Sequence, residues 1–155
     1  MLPDMLQTND PLTVNLFTLV LRLALGLVIL PHGAQKLLGW FGGYGFQGTM
    51  GYFTQTMHIP YLLGVLAIIA EFFGGLALLA GVLTRPAALG IGVVMVVAAV
   101  LAHRSYGFFM NWFGNQQGEG VEFHILAAGM ALVLVITGGG AWSLDHVLLS
   151  AIARS

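Results

Sequence analysis

The residues of this sequence that could do chemistry are few, because the chain is nearly free of charge. Its 155 residues include 5 Lys and Arg, 6 Asp and Glu, and 5 His. Imidazoles can donate, accept or ligate near neutral pH, and carboxylates can hold or transfer protons. Cysteine is absent, which excludes disulfides, thiolate nucleophiles and iron–sulfur clusters held by cysteine. Any chemistry must therefore come from a few charged groups and histidines.

Two of the charged residues interrupt long apolar stretches. Arg22 lies about ten residues into the first stretch, and Glu71 lies about twelve residues before the second one ends. In antiparallel neighbouring helices, both would lie roughly 15 to 18 Å below the same surface. A charge at the centre of a membrane helix raises the free energy of insertion by about 2.5–3.5 kcal/mol, and an ion pair between the two charges would reduce this cost. We therefore expect an Arg22–Glu71 ion pair, which either fixes helix register or relays protons.

Three histidines form a second candidate group. His32, His103 and His124 belong to different predicted helices and lie toward one side of the membrane, in a layer with Lys36 and Glu122. Three interpretations stay open. The histidines could sit at solvated helix ends, could hydrogen-bond a quinone headgroup and relay its protons, or could ligate haem or a metal. The chain has no His-x-x-x-His spacing, which disfavours haem and leaves no metal site predicted.

Four apolar helices must position these groups. The expected spans are residues 12–38, 61–83, 86–102 and 121–138. A bilayer crossing needs roughly 20 residues, and these runs lack the alternation of a transmembrane barrel. The predicted fold class is all-α: one membrane four-helix bundle over residues 1–155, with a long, aromatic, Gly-rich loop between helices 1 and 2. Residues 143–155 are expected to form an amphipathic interfacial tail.

The overall composition supports a membrane location. Hydrophobic residues make up 58% of the chain and charged residues 7%. Soluble domains carry about 25% charged residues, and disorder needs low hydrophobicity, so both classes are excluded. The net charge of −1 indicates no nucleic-acid partner and leaves the lipid bilayer as the expected one. Lys and Arg are nearly balanced between the two sides, and cytoplasmic termini are expected by a narrow margin.

Four segments, taken in order, resemble the DoxX family of integral membrane proteins. They are residues 32–43 (HGAQKLLGWFGG), 71–85 (EFFGGLALLAGVLTR), 103–122 with its histidine and Phe-Phe pair, and 142–145 (WSLD). The resemblance extends over nearly the whole chain from Arg22 to Asp145. It implies that Arg22 and Glu71 match the family's intramembrane polar pair, and that His103 matches its third-helix polar position.

The resemblance also carries implications for function. It implies a multi-pass protein of the bacterial or archaeal cytoplasmic (inner) membrane. The family is named after a component of a terminal quinol oxidase, and other members are associated with membrane oxidoreductase complexes. A quinone is thus the implied cofactor, and a soluble or membrane oxidoreductase, or further copies of the chain, are the implied partners. Because the chain has no cysteine, its electrons would have to come from elsewhere.

Two functional hypotheses result, and they leave open whether the chain is catalytic. The first is a membrane subunit of a quinone- or quinol-linked oxidoreductase system. Its expected proton-handling residues are Glu71, Arg22 and His103, and its expected headgroup contacts are His32, His103, His124, Glu122 and Lys36. The alternative is a non-catalytic anchor or assembly scaffold for a soluble redox partner, which would dock on the aromatic loops. A small-solute pore would need an oligomer, because one chain has few spans.

Overall fold

A computed structural model describes residues 10–154, which form helices and connecting turns without any strand. The α-helices are α1 (Pro11–Leu38), α2 (Gly45–Gly51), α3 (Tyr61–Ala80), α4 (Thr84–Ala98), α5 (Glu122–Thr137) and α6 (Leu144–Ile152). A π-helical turn (Ala99–His103) and a 3-10 turn (Arg104–Tyr106) extend α4. The all-α prediction is confirmed. Residues 1–9 and 155, which the predicted domain includes, lie outside the described residues.

Local sequence signals explain where α1 and α5 begin and end. The Asp10 carboxylate accepts a hydrogen bond from the Thr13 amide at 3.1 Å, and Pro11 occupies the first helical position. Proline suits that position because its φ is already helical and no N–H is needed there. At the other end, α1 stops at Gly39, and α5 stops at Gly138 in the glycine run. Both glycines have φ near 75°, a conformation that favours residues without a Cβ.

Four helices build the bundle. Helix α1 packs along α3, α3 along α4, and α4 along α5, while α1 closes the bundle against α5. Leu25, Ile29, Leu78, Ile91 and Leu134 form its buried centre. Lipid tails are as apolar as these side chains, so association within a bilayer depends on close packing and not on burial from water.

Glycines set the register between α1 and α3. A Cβ added to Gly33 would lie 2.5 Å from the backbone nitrogen of Phe72, and one added to Gly26 would lie 3.0 Å from the Leu79 side chain. The two helices therefore approach each other closely along the second half of α3, from Glu71 to Leu79. This register determines which polar side chains of α1 and α3 can meet.

The bundle has two ends with different connections. One, called the terminus end here, holds Asp10, the short 81–84 turn and α6. The other, the long-loop end, holds residues 39–60 and 103–121. The first long connection was expected to be a loop, but most of it is helical: Trp40–Gly42, α2 and a π-helical turn at Tyr52–Thr56. Met50 of α2 is buried and lies close to Gly64 of α3, so a packed side chain holds this segment on the bundle.

Three helical stretches within residues 10–154 are long and apolar enough to cross a membrane: Pro11–Leu38, Tyr61–Ala80 and Thr84–Tyr106. Helix α5 is also apolar but has only 16 residues, which is about 24 Å of helix. A hydrocarbon core is about 30 Å thick, and bilayers thin locally around short helices. That α5 is a fourth span stays a prediction.

Candidate functional site at the long-loop end

Arg22 and Glu71 do not form the ion pair that the sequence predicts. The Arg22 guanidinium, in a residue only 1% exposed, donates to the Leu78 carbonyl at 3.3 Å and to the Trp142 carbonyl at 2.6 Å. The Glu71 carboxylate instead pairs with the Lys36 ammonium at 2.5 Å. The two residues predicted to be partners thus belong to opposite ends of the bundle.

The helix register explains this error. Gly33 of α1 lies beside Phe72 of α3, so Glu71 is level with the last turns of α1. Arg22 is about eleven residues earlier than Gly33, which is roughly 16 Å along the helix axis. The prediction assumed that the first two spans meet the terminus end at the same level. At the terminus end, helix α1 in fact extends several turns beyond α3. Arg22 is therefore level with the C-terminus of α3 and not with Glu71.

Arg22 belongs to a group of residues at the terminus end that we call the Arg22 cluster: Arg22, Gly81, Leu83, Thr84 and Asp145. Leu78 lies in the last turn of α3, where carbonyls lack helical partners and the helix dipole is negative, so a guanidinium is stabilised there. A Cβ at Gly81 would collide with Nη1 of Arg22. The buried cation is thus held by backbone carbonyls.

Asp145 completes the Arg22 cluster from the start of α6. Its carboxylate accepts from the Leu83 amide at 2.7 Å and the Thr84 amide at 2.9 Å, and its own amide donates to the Gly81 carbonyl at 2.8 Å. Burial works to raise the pKa of this carboxyl, but the amide hydrogen bonds and the Arg22 charge outweigh burial, so the pKa lies below its ordinary value. The sequence analysis gave Asp145 no role. The signal was available, since a lone acid in an apolar tail needs a partner.

At the long-loop end, His103 and His124 form a close pair. Their ring centroids are 4.1 Å apart at an interplanar angle of 38°. His124 is only 7% exposed, and His103 is half-buried. The π-helical turn at the end of α4 carries His103, and such turns frequently mark functional sites because they re-aim a side chain.

The hydrogen bonds of this pair leave ring nitrogens available. The His103 Nδ1 lies 2.9 Å from the Glu119 carbonyl oxygen. A carbonyl only accepts, so Nδ1 carries the hydrogen, and Nε2 keeps a free lone pair. The Nδ1 of His124 is buried, and among the described residues it has no partner at hydrogen-bonding geometry, although the Gly120 carbonyl is near. Buried polar atoms without partners are uncommon and call for an explanation.

The remaining members of the predicted histidine layer lie around this pair. The Phe123 ring is 5.4 Å from the His124 ring and 6.0 Å from the His32 ring, so it neighbours both histidines. His32 is exposed on the bundle surface, within electrostatic range of Lys36 and Glu71. The side chain of Lys36 is 28% exposed and that of Glu71 is 4% exposed. The ion pair thus connects the buried interior with the bundle surface.

Glu122 lies at the start of α5, two residues before His124, and its carboxylate binds the second long connection. Its Oε1 accepts from the Met110 amide at 2.8 Å and the Trp112 indole at 3.0 Å. Glu119 similarly accepts from the Asn111 amide at 2.6 Å. Glu122 thus holds the second long connection against the start of α5, and Glu119 links two parts of that connection to each other. The sequence analysis missed that Glu119 orients His103 through its backbone, because a carbonyl contact has no residue-type signature.

The histidines and carboxylates of residues 10–154 do not gather into a metal-binding group of three or more. The long-loop end brings the His103 and His124 rings, the Phe123 ring and His32 next to one another, with Lys36 within electrostatic range of His124. Such an arrangement can bind a flat polar ring and exchange protons with it.

Long apolar helices with a polar site at one end define an integral membrane protein of the helical-bundle class. The chain belongs to the DoxX family, whose family description matches residues 17–104. It is 34% identical over 110 residues to the inner membrane protein YqjF of Escherichia coli (strain K12), an alignment that covers 71% of this chain and 79% of the relative. It is also 28% identical over 131 residues to the inner membrane protein YphA of the same strain, covering 83% and 87% of the two chains. No solved structure matches the chain.

Proposed function

We propose that this protein is the membrane subunit of a quinone- or quinol-linked oxidoreductase system and binds the quinone headgroup at the long-loop end. The observation that carries the proposal is the close His103–His124 ring pair beside the Phe123 ring, in which the buried Nδ1 of His124 makes no hydrogen bond of good geometry with the described residues. A quinone carbonyl needs a hydrogen-bond donor and a quinol hydroxyl needs an acceptor. An imidazole can supply either one, through an N–H or through a ring nitrogen lone pair.

Each residue would have its own part in such a site. The His124 Nδ1 suits a quinone headgroup, because this buried atom has no hydrogen bond of good geometry and a headgroup oxygen would provide one. The Phe123 ring would pack against the quinone face. His103, held by the Glu119 carbonyl, would present its free Nε2 at a fixed orientation. His32, exposed beside Phe123, would line the entrance from the bilayer.

The Lys36–Glu71 pair would supply protons to this site. Quinone reduction takes up protons together with electrons, and the pair links a buried carboxylate to a partly exposed ammonium. The chain has no cysteine to carry electrons, so these would come from a partner oxidoreductase. Glu122 holds the second long connection in place and would act on the headgroup only through the position of α5.

The location proposed for this protein is the inner membrane. YqjF and YphA are both named inner membrane proteins, and the apolar helices of this chain suit the same placement. The termini are proposed to face the cytoplasm. A reporter fused to the C-terminus, active only in the cytoplasm, would test this orientation.

Headgroup binding to the protein in lipid nanodiscs tests the site. A quinone with a very short tail is titrated against the protein, and binding is followed by quenching of tryptophan fluorescence. His124→Phe and His103→Phe are each expected to weaken binding about 10-fold, because each removes one hydrogen bond from a desolvated oxygen. His146→Phe, at the terminus end, is the matched control and should bind like the wild type. Normal binding by both pair variants would refute the site.

A scaffold role is the second candidate, and the second long connection favours it. Trp112 is 77% exposed and Phe113 is 90% exposed, yet the Glu122 carboxylate anchors this segment. A fixed, exposed aromatic surface could dock a soluble oxidoreductase. Stoichiometric copurification of a flavin- or iron–sulfur-containing protein, lost on Phe113→Asp and unaffected by His124→Phe, would support the scaffold and count against the quinone site.

A further inference from the structure

An open groove runs between α4 and α5 on the outer surface of the bundle. Its volume is about 480 Å³, within the range of about 300–1,000 Å³ that small-molecule sites occupy. Every residue that lines it is apolar. The groove exists because small residues stand where neighbouring positions carry larger ones: Gly92 on α4, and Ala128 and Gly129 on α5. A Cβ added to Gly129 would meet no atom within 4 Å, so this position opens directly into empty space.

The end of the groove that is nearest to the long-loop end lies close to the histidine pair along both helices. Ala128, Ala131 and Val135 follow His124 by four, seven and eleven residues, which places all four on one face of α5. On α4, Val97 lies six residues before His103. At 1.5 Å per residue, the upper end of the groove is therefore roughly 6 to 9 Å below the two rings. A molecule bound at the histidine pair would have an apolar channel beneath it, directed toward the bilayer centre.

We propose that this groove binds the isoprenoid tail of a lipid-soluble quinone whose headgroup lies at the His103–His124 pair. The inference rests on the proposed function and adds the ligand class, since it requires a long-tailed quinone in place of a small soluble one. The groove begins where a tail attached to the headgroup would emerge. It lies open to lipid along its side, so a long chain can enter laterally without threading.

The close contacts of the groove explain why a chain would fit there. Methyl branches recur along an isoprenoid chain and need recesses. Gly129 supplies such a recess, and Val96, Val97 and Leu132 form the walls around it. Tail contacts would raise affinity through dispersion and would orient the headgroup, because both ends of the ligand would be held by one rigid helix pair.

The test fills the groove and compares two ligands. Gly129→Leu places a side chain in the recess, and Gly51→Leu is the matched control, since Gly51 is also helical and also has open space around its Cβ position. Binding of a long-tailed and a very short-tailed quinone is measured in nanodiscs. Gly129→Leu is expected to weaken long-tailed binding about 10-fold and to change short-tailed binding less than about twofold. Gly129→Ala should give a smaller loss in the same direction.

Each other outcome has a definite meaning. If Gly129→Leu binds both quinones like the wild type, the groove holds bilayer lipid, and the tail proposal is refuted while the headgroup site stands. If Gly129→Leu shifts the mass of the protein in nanodiscs to that of a smaller assembly, the groove is a contact between copies, which also refutes it. If the wild type binds neither quinone, the proposed function itself fails. Unchanged circular dichroism of each variant establishes that the comparison is between folded proteins.

Discussion

The two polar regions of this bundle hold buried charges in opposite ways. The Arg22 guanidinium donates to two backbone carbonyls, and Asp145 accepts from two backbone amides. At the long-loop end, Lys36 and Glu71 pair with each other, and the buried Nδ1 of His124 has no hydrogen bond of good geometry among the described residues. Backbone groups do not titrate, so the partners of Arg22 and Asp145 cannot accept or supply a proton near neutral pH. Side-chain partners can exchange protons, so the long-loop site can change state.

This difference indicates how to separate structural from functional charges in a membrane protein. Burial alone does not distinguish them, because Arg22 and Glu71 are both buried. The type of partner does. A charge satisfied by helix ends and turns fixes the fold, whereas a charge satisfied by another side chain beside unpaired imidazoles can serve a ligand or a proton.

The largest loss of stability is expected for Gly81→Ala. The added methyl group would collide with Nη1 of Arg22 and would lie 2.7 Å from the Ser143 side chain, at a backbone φ of 69°. We expect a loss of about 3 kcal/mol or more in the free energy of unfolding, seen as a large drop in the thermal midpoint in detergent. Gly114→Ala is the control, because Gly114 has φ of 67° but nothing within 4 Å. It should lose only about 1 kcal/mol.

Equal losses for these two alanine variants would contradict this account. Strain at positive φ would then explain the whole effect, and the crowding around Arg22 would contribute nothing. A loss at Gly81 that becomes smaller in the Arg22→Met background would strengthen the account, because removing the guanidinium removes one of the two collisions of the methyl group.

A smaller loss, about 2 kcal/mol near neutral pH, is expected for Asp145→Asn, because an amide holds the Leu83 and Thr84 N–H groups less well than a carboxylate. The pKa of Asp145 in the folded protein lies below the unfolded value of about 3.9. The ionised carboxylate therefore stabilises the fold above that value. Its contribution is lost as pH falls through the folded pKa. Thermal midpoints of both proteins, measured from pH 7 to pH 3, should converge on acidification.

A difference between the two midpoints that stays constant down to pH 3 would show that the charge is not responsible. His146→Asn provides the comparison on the same helix. Its side chain is exposed, and its backbone amide would keep the bond to the Ser143 hydroxyl. The thermal midpoint of this variant should follow that of the wild type at every pH above 5.

The sequence allowed the fold class to be predicted because it depends on composition and segment length, which are local properties. The helix ends at Gly39 and Gly138 and the start at Asp10 likewise follow from single residues and their neighbours. The first long connection was misjudged for a related reason. Its glycines suggested a loop, because glycine has a low helix propensity. Packing of Met50 against the bundle outweighs that propensity, and the segment is helical.

The candidate site was only partly predictable, since pairing depends on the relative level of two helices. The sequence grouped His32, His103 and His124 at one end, and the structure places all three there. It could not reveal that α1 extends beyond α3, so it paired Glu71 with Arg22 in place of Lys36. The register depends on backbone contacts at Gly33 and Gly26, and glycines are too frequent in this chain for two of them to stand out.

The smallest change in stability is expected at the long-loop end, where the ion pair is partly exposed. Lys36→Met leaves the Glu71 carboxylate buried without its partner, whereas Glu71→Gln leaves an ammonium that can turn toward water. We therefore expect Lys36→Met to lose about 1–2 kcal/mol and Glu71→Gln to lose less than about 1 kcal/mol. The double variant should recover most of the loss, because no buried charge remains. Unfolding of all three variants in detergent, analysed as a double-mutant cycle, measures these differences.

The effects on activity should be the reverse of the effects on stability. Variants at the long-loop end should lose activity with little loss of stability, and variants of the Arg22 cluster should lose stability with little loss of activity. If the long-loop site handles protons, the Lys36–Glu71 double variant is stable but defective in quinone reduction by a suitable donor. Asp145→Asn is less stable but retains the rate per folded molecule. Normal turnover by the double variant would show that the Lys36–Glu71 pair has a structural role, as the Arg22 cluster does. The contrast between fixed and titratable charges would then rest on the histidine pair alone.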